Sequence, residues 1–134
     1  MGFSDLPLLD QIKGRLSWLD ERQRVIAQNV ANSDTPGYVG RDLKAPTDFA
    51  AALREGGSLQ MTRTSANHIA PPTPQNRFHS SASPDSETTL DGNTVVVEEQ
   101  MLKMAESRMA YDAAISFYQK SMNMLRMAAR GPGR

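Results

Sequence analysis

Apolar residues recur at alternating three- and four-residue spacing in two stretches, one near each end of the chain. The first runs through Leu9, Ile12, Leu16, Leu19, Ile26 and Val30, with Gln23 as a polar interruption. The second runs through Val97, Met101, Met104, Tyr111, Ile115, Tyr118, Met122 and Leu125, with Arg108 interrupting and Ala129 closing it. This is the seam of helices that pack side by side. The first helix is expected to start at Ser4 or Asp5, either of which can cap it, with Pro7 in the first turn, where its missing N–H costs nothing. It should end near Asn32, a length of about 40 Å. The second is expected to start after Asn93 or Thr94 as cap and to stop before Gly131-Pro132-Gly133, a length of about 50 Å.

What lies between reads differently. Asn32-Ser33-Asp34 is poor helix interior, and Thr35-Pro36-Gly37-Tyr38 follows. Proline then glycine at the centre of a four-residue turn is the type II preference, so the chain turns sharply here. Thr47 to Leu53 has the makings of a short helix, and Ser58 to Thr64 of a short strand. From Ala70 to Thr89 the proline, serine and threonine content predicts an extended connection with no packed core. Asp91-Gly92-Asn93 is a second turn. The expected fold is therefore mainly α: two long terminal helices paired as a coiled-coil-like hairpin, joined by a loop-rich middle with little regular structure. The divisions are 1–34, 35–90 and 91–134.

Composition sharpens this picture. Only 39% of the 134 residues are apolar and 6% aromatic, a thin supply for a self-sufficient core. Such a chain is expected to be only partly helical alone and to gain helix by docking on neighbours. Net charge is zero, which gives the whole molecule no steering towards nucleic acid or an acidic membrane. After Asp112 there are no acids, while Lys120, Arg126, Arg130 and Arg134 remain. That distribution suits the negative end of a helix dipole or, alternatively, an acidic neighbour. There is no cysteine, so thiolate chemistry is excluded. No run of about 18 apolar residues is present to span a membrane, and Met1 to Asp10 lacks the positive start of a cleaved signal peptide.

Candidate chemistry is sparse. His68 and His79 stand in the middle segment without ligands or carboxylates at useful spacing. Asp91, Glu98 and Glu99 match no calcium loop and suit a helix start. Gly56-Gly57 lacks the Lys and hydroxyl residue of a phosphate loop. No cofactor, metal, small-molecule substrate or catalytic residue is expected. The distinctive feature is the methionine content of the second helix: Met101, Met104, Met109, Met122, Met124 and Met127. Methionine adapts to irregular surfaces. With Leu102, Ala113 and Phe117 lying off the seam, the apolar stripe is wider than one partner helix needs. An interface with non-identical neighbours is the expectation.

Two motifs carry a resemblance. Asn29-Val30-Ala31-Asn32-Ser33-Asp34-Thr35-Pro36-Gly37-Tyr38 resembles the N-terminal motif of the bacterial flagellar rod, hook and hook-filament proteins. Asp91-Gly92-Asn93-Thr94-Val95, with Glu98-Glu99-Gln100-Met101 and Tyr111, is similar to their C-terminal motif. The family usually carries Asp or Asn where this chain has Val96, which leaves Asn93 or Thr94 to cap the helix. The short middle has no room for the inserted domains of the larger members. Met61-Thr62-Arg63-Thr64 and His68-Ile69, with the plain Thr-Pro-Gly-Tyr turn, favour a proximal-rod member over its short relative. The resemblance implies a structural subunit, exported through the flagellar type III apparatus without a cleaved signal. It implies assembly in the periplasm as a helical tube that transmits torque. Its partners would be copies of itself, other rod proteins, the adaptor FliE, the MS ring and the export gate. No nucleic acid and no direct membrane insertion are implied. The assembly interface would use the seam residues named above, and Asn29, Asn32, Thr35, Pro36, Gly37 and Tyr38 would form the turn.

Three rivals are weaker. A helical adaptor such as a secretion chaperone would share the seams but needs no Pro-Gly turn. An enzyme needs convergent polar groups in a pocket, and a nucleic-acid binder needs basic stripes with stacking aromatics.

Overall fold

A computed structural model describes residues 7–45 and 78–131. The order of elements is α1 (Pro7–Ala31), β1 (Arg41–Leu43), β2 (Ser80–Ala82) and α2 (Val97–Arg130). The expected caps Ser4 and Asp5, the helix over 47–53 and the strand over 58–64 lie outside the described residues, as does His68.

Helix α1 is described from Pro7, a residue that the first turn of a helix accommodates. Arg24 reinforces the exposed side of the helix through Glu21 at 3.1 Å and Asp20 at 3.8 Å. The helix ends where its own side chains begin to compete for the backbone. Asn32 Nδ2 donates to the Gln28 carbonyl at 2.8 Å, and Thr35 Oγ1 donates to Asn32 Oδ1. The turn then closes with the Tyr38 N–H on the Thr35 carbonyl. Gly37 has φ +69, the left-handed value that the third position of a type II turn requires.

The chain reverses and α2 returns antiparallel to α1, with Asn29 bonded to Gln100 near one end and Leu9 beside Ser121 and Leu125 at the other. The hairpin expected from the two seams is therefore formed within one chain. Leu9, Ile12, Leu19 and Ile26 are buried along it and Leu16 half-buried. Trp18 and Val25, one heptad apart, extend the buried face sideways onto Leu43, with Phe78, Ala110 and Tyr111 packed against them. Trp18 Nε1 donates to the Lys44 carbonyl at 3.0 Å. Arg22 lies over the Trp18 ring and holds Asp42 with two bonds, which fixes β1 on α1.

β1 pairs antiparallel with β2, in the register Arg41↔Ala82, Asp42↔Ser81 and Leu43↔Ser80. The stretch expected as a connection without packing is thus anchored where it is described. Phe78 joins the core cluster, and the Asp85 side chain is fully covered. Three-residue strands, Arg-Asp-Leu and Ser-Ser-Ala, carry no periodic signal of their own. Their pairing follows from the docking of β1 on α1.

The capping expectation is corrected. Helix α2 begins at Val97, with Val96 in extended conformation and no cap of its own. Asn93 and Thr94 serve elsewhere: Asn93 Nδ2 donates to the carbonyls of Asn32 and Thr35, and Thr94 Oγ1 accepts from the Gly40 N–H. The cap comes from Asp85, eleven residues upstream of Val96, whose Oδ2 accepts the Val96 N–H at 2.9 Å. A carboxylate distant in sequence thus takes up the free N–H at the start of the helix.

Candidate assembly interface

Two family-motif segments, far apart in sequence, meet at one end of the hairpin. The Gly37 N–H donates to the Asp91 carbonyl at 2.9 Å, and the Thr94 N–H donates to the Tyr38 carbonyl at 3.0 Å. Gly92 (φ +85) backs directly onto Gly37, so close that a Cβ there would sit 3.4 Å from the Gly37 Cα. Pro36 and Gly37 are exposed on this junction and Tyr38 half-buried.

Beneath the junction runs a continuous polar chain. Asn29, 0% exposed, uses all the hydrogen-bonding capacity of its amide. Its Nδ2 donates to the Arg41 carbonyl at 2.7 Å and to Gln100 Oε1 at 2.9 Å. Its Oδ1 accepts from the Arg41 N–H at 3.0 Å and the Tyr38 hydroxyl at 3.2 Å. Gln100, also 0% exposed, passes the chain on by donating Nε2 to Asp85 Oδ2 at 2.8 Å. Lys103 closes it with an ion pair to Asp85 Oδ1 at 2.9 Å. Burial works to raise the Asp85 pKa, but the bonds from Lys103, Gln100 and the Val96 N–H outweigh it and hold the carboxyl below its ordinary range. Asp91 is likewise lowered, by the Thr89 hydroxyl and the Asn93 N–H. A buried amide pair between two helices fixes their register, because a slip leaves both amides unsatisfied.

The structure distributes the expected seam residues unequally. In α1, Leu9, Ile12, Leu19 and Ile26 are interior, whereas Val30 is exposed and Asn29 takes its inward place. In α2, Met104, Tyr111, Ile115, Tyr118, Met122 and Leu125 are half-buried, as is Val97, and Met101 faces solvent. The residues α2 buries are Gln100, Ser107 and Ser121, spaced in multiples of seven with half-buried Ala114 between. The seam of α2 therefore lies one residue to the side of the purely apolar reading. Small residues at one heptad position let α1 approach closely, and Met104, Tyr111, Tyr118 and Leu125 fill the other. The Ser107 and Ser121 hydroxyls have no partner among the described residues.

Another side of α2 is open and rich in apolar residues. Leu102, Met109, Phe117, Met124 and Met127 are all exposed and recur on one side of the helix at 3.6-residue periodicity, with exposed Glu106 and Lys120 among them. The off-seam residues Leu102, Ala113 and Phe117 are left uncovered by α1. Among the described residues no cluster of His, Asp or Glu could hold a metal, and His79 is exposed with its carbonyl bonded to the Lys44 N–H.

Known proteins are similar to this chain in sequence. The family model described as flagella basal body rod protein matches residues 13–38, most of α1 and the turn. A flagellar basal body rod protein FlgB of Proteus mirabilis is 37% identical, covering 76% of this chain and 78% of that protein. FlgB of Salmonella typhimurium is 32% identical, over 81% of this chain and 88% of that protein. FlgB of Escherichia coli is 30% identical with the same coverage. The chain belongs to the FlgB family of flagellar basal-body rod proteins. FlgB relatives are similar across most of this chain, beyond the stretch that the family model matches. The buried Asn29 and the turn to Tyr38 fall inside that stretch. Gln100 and Asp85, which complete the polar chain, were not singled out by hydropathy. The signal for Gln100 was its place in the C-terminal motif, and Asp85 had none.

Proposed function

We propose that the chain is a structural subunit of the proximal flagellar rod, and that it assembles through the outward face of α2 and the turn junction. Membership of the FlgB family supports a rod subunit of the flagellar basal body. The observation that carries the interface is the open apolar face of Leu102, Met109, Phe117, Met124 and Met127 on a helix whose other face is already occupied. Isolated apolar side chains on a surface are ordinary, but five along one side of a long helix, with only Glu106 and Lys120 between them, favour a contact. Val30 and Met101, exposed beside it, and the half-buried Ile115, Tyr118 and Met122 add to its edges. The interior residues Leu9, Ile12, Leu19 and Ile26 act by holding the hairpin that presents the face.

In this reading the terminal helices, 1–34 and 91–134, form the tube, and 35–90 reaches adjacent subunits. Partners are copies of the chain, other rod proteins, the adaptor FliE and the parts of the MS ring and export gate at the rod base. The subunit reaches the periplasm through the flagellar export apparatus. Among the described residues no helix is long and apolar enough to cross a membrane. The role is mechanical: a rigid, register-locked hairpin transmits torque between its neighbours without chemistry.

Deletion of the gene tests this directly. Cells are expected to grow normally and not swim, with swimming restored by the wild-type chain. A swimming deletion strain overturns the reading.

A further inference from the structure

All the sulfur in this chain is thioether, because there is no cysteine. Six of its eight methionines lie on α2, and the structure sorts them by access. Met101, Met109 and Met127 are 64%, 66% and 67% exposed. Met104 and Met122 are half-buried beside the seam. Met109 and Met127 fall on one line of the helix, since the residues between them make about five turns. An oxidant in solution therefore meets the outward methionines first, and no thiol in the chain competes for it.

The chemistry is oxygen transfer. A lone pair on the thioether sulfur attacks a peroxide, one oxygen bonds to sulfur, the O–O bond breaks and the other oxygen leaves as water. Sulfur loses two electrons and the peroxide gains them. A flexible apolar tip becomes a polar sulfoxide. The hairpin does not depend on these three tips, because α2 buries Gln100, Ser107 and Ser121 instead. Oxidation there changes the outward surface and leaves the fold intact. On a free subunit the sulfoxide oxygen is hydrated. Under an apolar contact it would lose that water and find no donor.

We propose that Met101, Met109 and Met127 form an oxidation site of the free subunit: a peroxide converts them to sulfoxides, and the sulfoxides bar docking without unfolding the chain. This rests on the reading above, in which Met109 and Met127 meet a neighbour and Met101 stands at the edge of that contact. Docking and oxidation are then mutually exclusive, because a covered thioether is out of reach of peroxide and an oxidised one cannot be covered at low cost. The site acts as a check on each subunit before it joins the assembly. Copies oxidised on this side of α2 stay out, although their hairpins are sound.

The purified full-length chain, treated with dilute hydrogen peroxide, tests the first half, with each methionine followed by peptide mapping. Met101, Met109 and Met127 are expected to gain oxygen several-fold faster than Met104 and Met122, with the helical circular dichroism unchanged. Equal rates at all five, or helix loss in step with oxidation, overturn the proposal. Two triple variants test the consequence in cells. Met101→Leu, Met109→Leu and Met127→Leu together keep the surface apolar and remove its sulfur. Met101→Gln, Met109→Gln and Met127→Gln together imitate the sulfoxides with another good helix former. Cells with the leucine chain are expected to swim and cells with the glutamine chain to stop, while both purified chains keep wild-type helix content. A glutamine chain that supports swimming, or a leucine chain that does not, overturns the proposal. If the glutamine chain supports swimming and Phe117→Asp does not, the oxidation site falls and the α2 interface stands. If both support swimming, the interface falls with it.

Discussion

The two long helices look alike in sequence and are used differently. Helix α1 buries Leu9, Ile12, Trp18, Leu19, Val25, Ile26 and Asn29 among its described residues, whereas α2 buries only Gln100, Ser107 and Ser121. The first is a core element, with an apolar face satisfied inside the chain. The second presents small and polar groups inward and keeps much of its methionine, with Leu102 and Phe117, outward. A stripe of apolar residues therefore does not by itself say which side of a helix meets its own chain. Here the intramolecular seam is set by close approach and by the Asn29–Gln100 bond, and a methionine-rich face is left exposed.

Substitutions on the two helices should separate these roles. The largest effect is expected at the α1 core. Leu19→Ala removes a side chain that is 1% exposed and is expected to destabilise the hairpin by about 2–5 kcal/mol, measured by urea unfolding. A loss below about 1 kcal/mol would mean that the α1 seam is not closed within the chain.

Asn29→Ala comes next. It orphans Gln100 Oε1, the Arg41 N–H and carbonyl, and the Tyr38 hydroxyl. The expected cost is about 2–3 kcal/mol, with register slippage visible as lost amide-exchange protection at both ends of the junction. Unchanged protection would remove the polar chain as the register device.

The smallest is a pH effect. The folded Asp85 carboxyl lies below its ordinary value, so its contribution is fully present above the unfolded pKa of about 3.9. It is lost as pH falls below that value through the depressed folded one. Asp85→Asn is expected to flatten the acid limb of the stability profile and to cost about 1–2 kcal/mol near pH 7. An acid limb identical to wild type would place the linkage on another group.

Much of this arrangement was legible beforehand, and the exceptions have physical reasons. The turn at Thr35-Pro36-Gly37-Tyr38 and the ends of both helices, near Asn32 and before Gly131, follow from local rules, since proline, glycine and apolar spacing act over a few residues. The phase of α2 does not. Gln100, Ser107, Ala114 and Ser121 recur every seven residues but carry little hydropathy, so an apolar count selects Met101, Ile115 and Met122 next to them. The start of α2 escaped because its cap is Asp85, which arrives through tertiary folding. The β1–β2 pair escaped because Ser80-Ser81-Ala82 has no strand preference apart from the edge it meets.

The most direct test of the difference between the helices is Phe117→Asp, at a residue that is 49% exposed on the open face of α2. The purified variant and a strain carrying it should be measured together. Helix content and unfolding free energy are expected to stay within about 0.5 kcal/mol of wild type, while swimming is lost. A variant that swims normally, or one that loses its helices, would contradict the claim that this face is completed by neighbouring subunits.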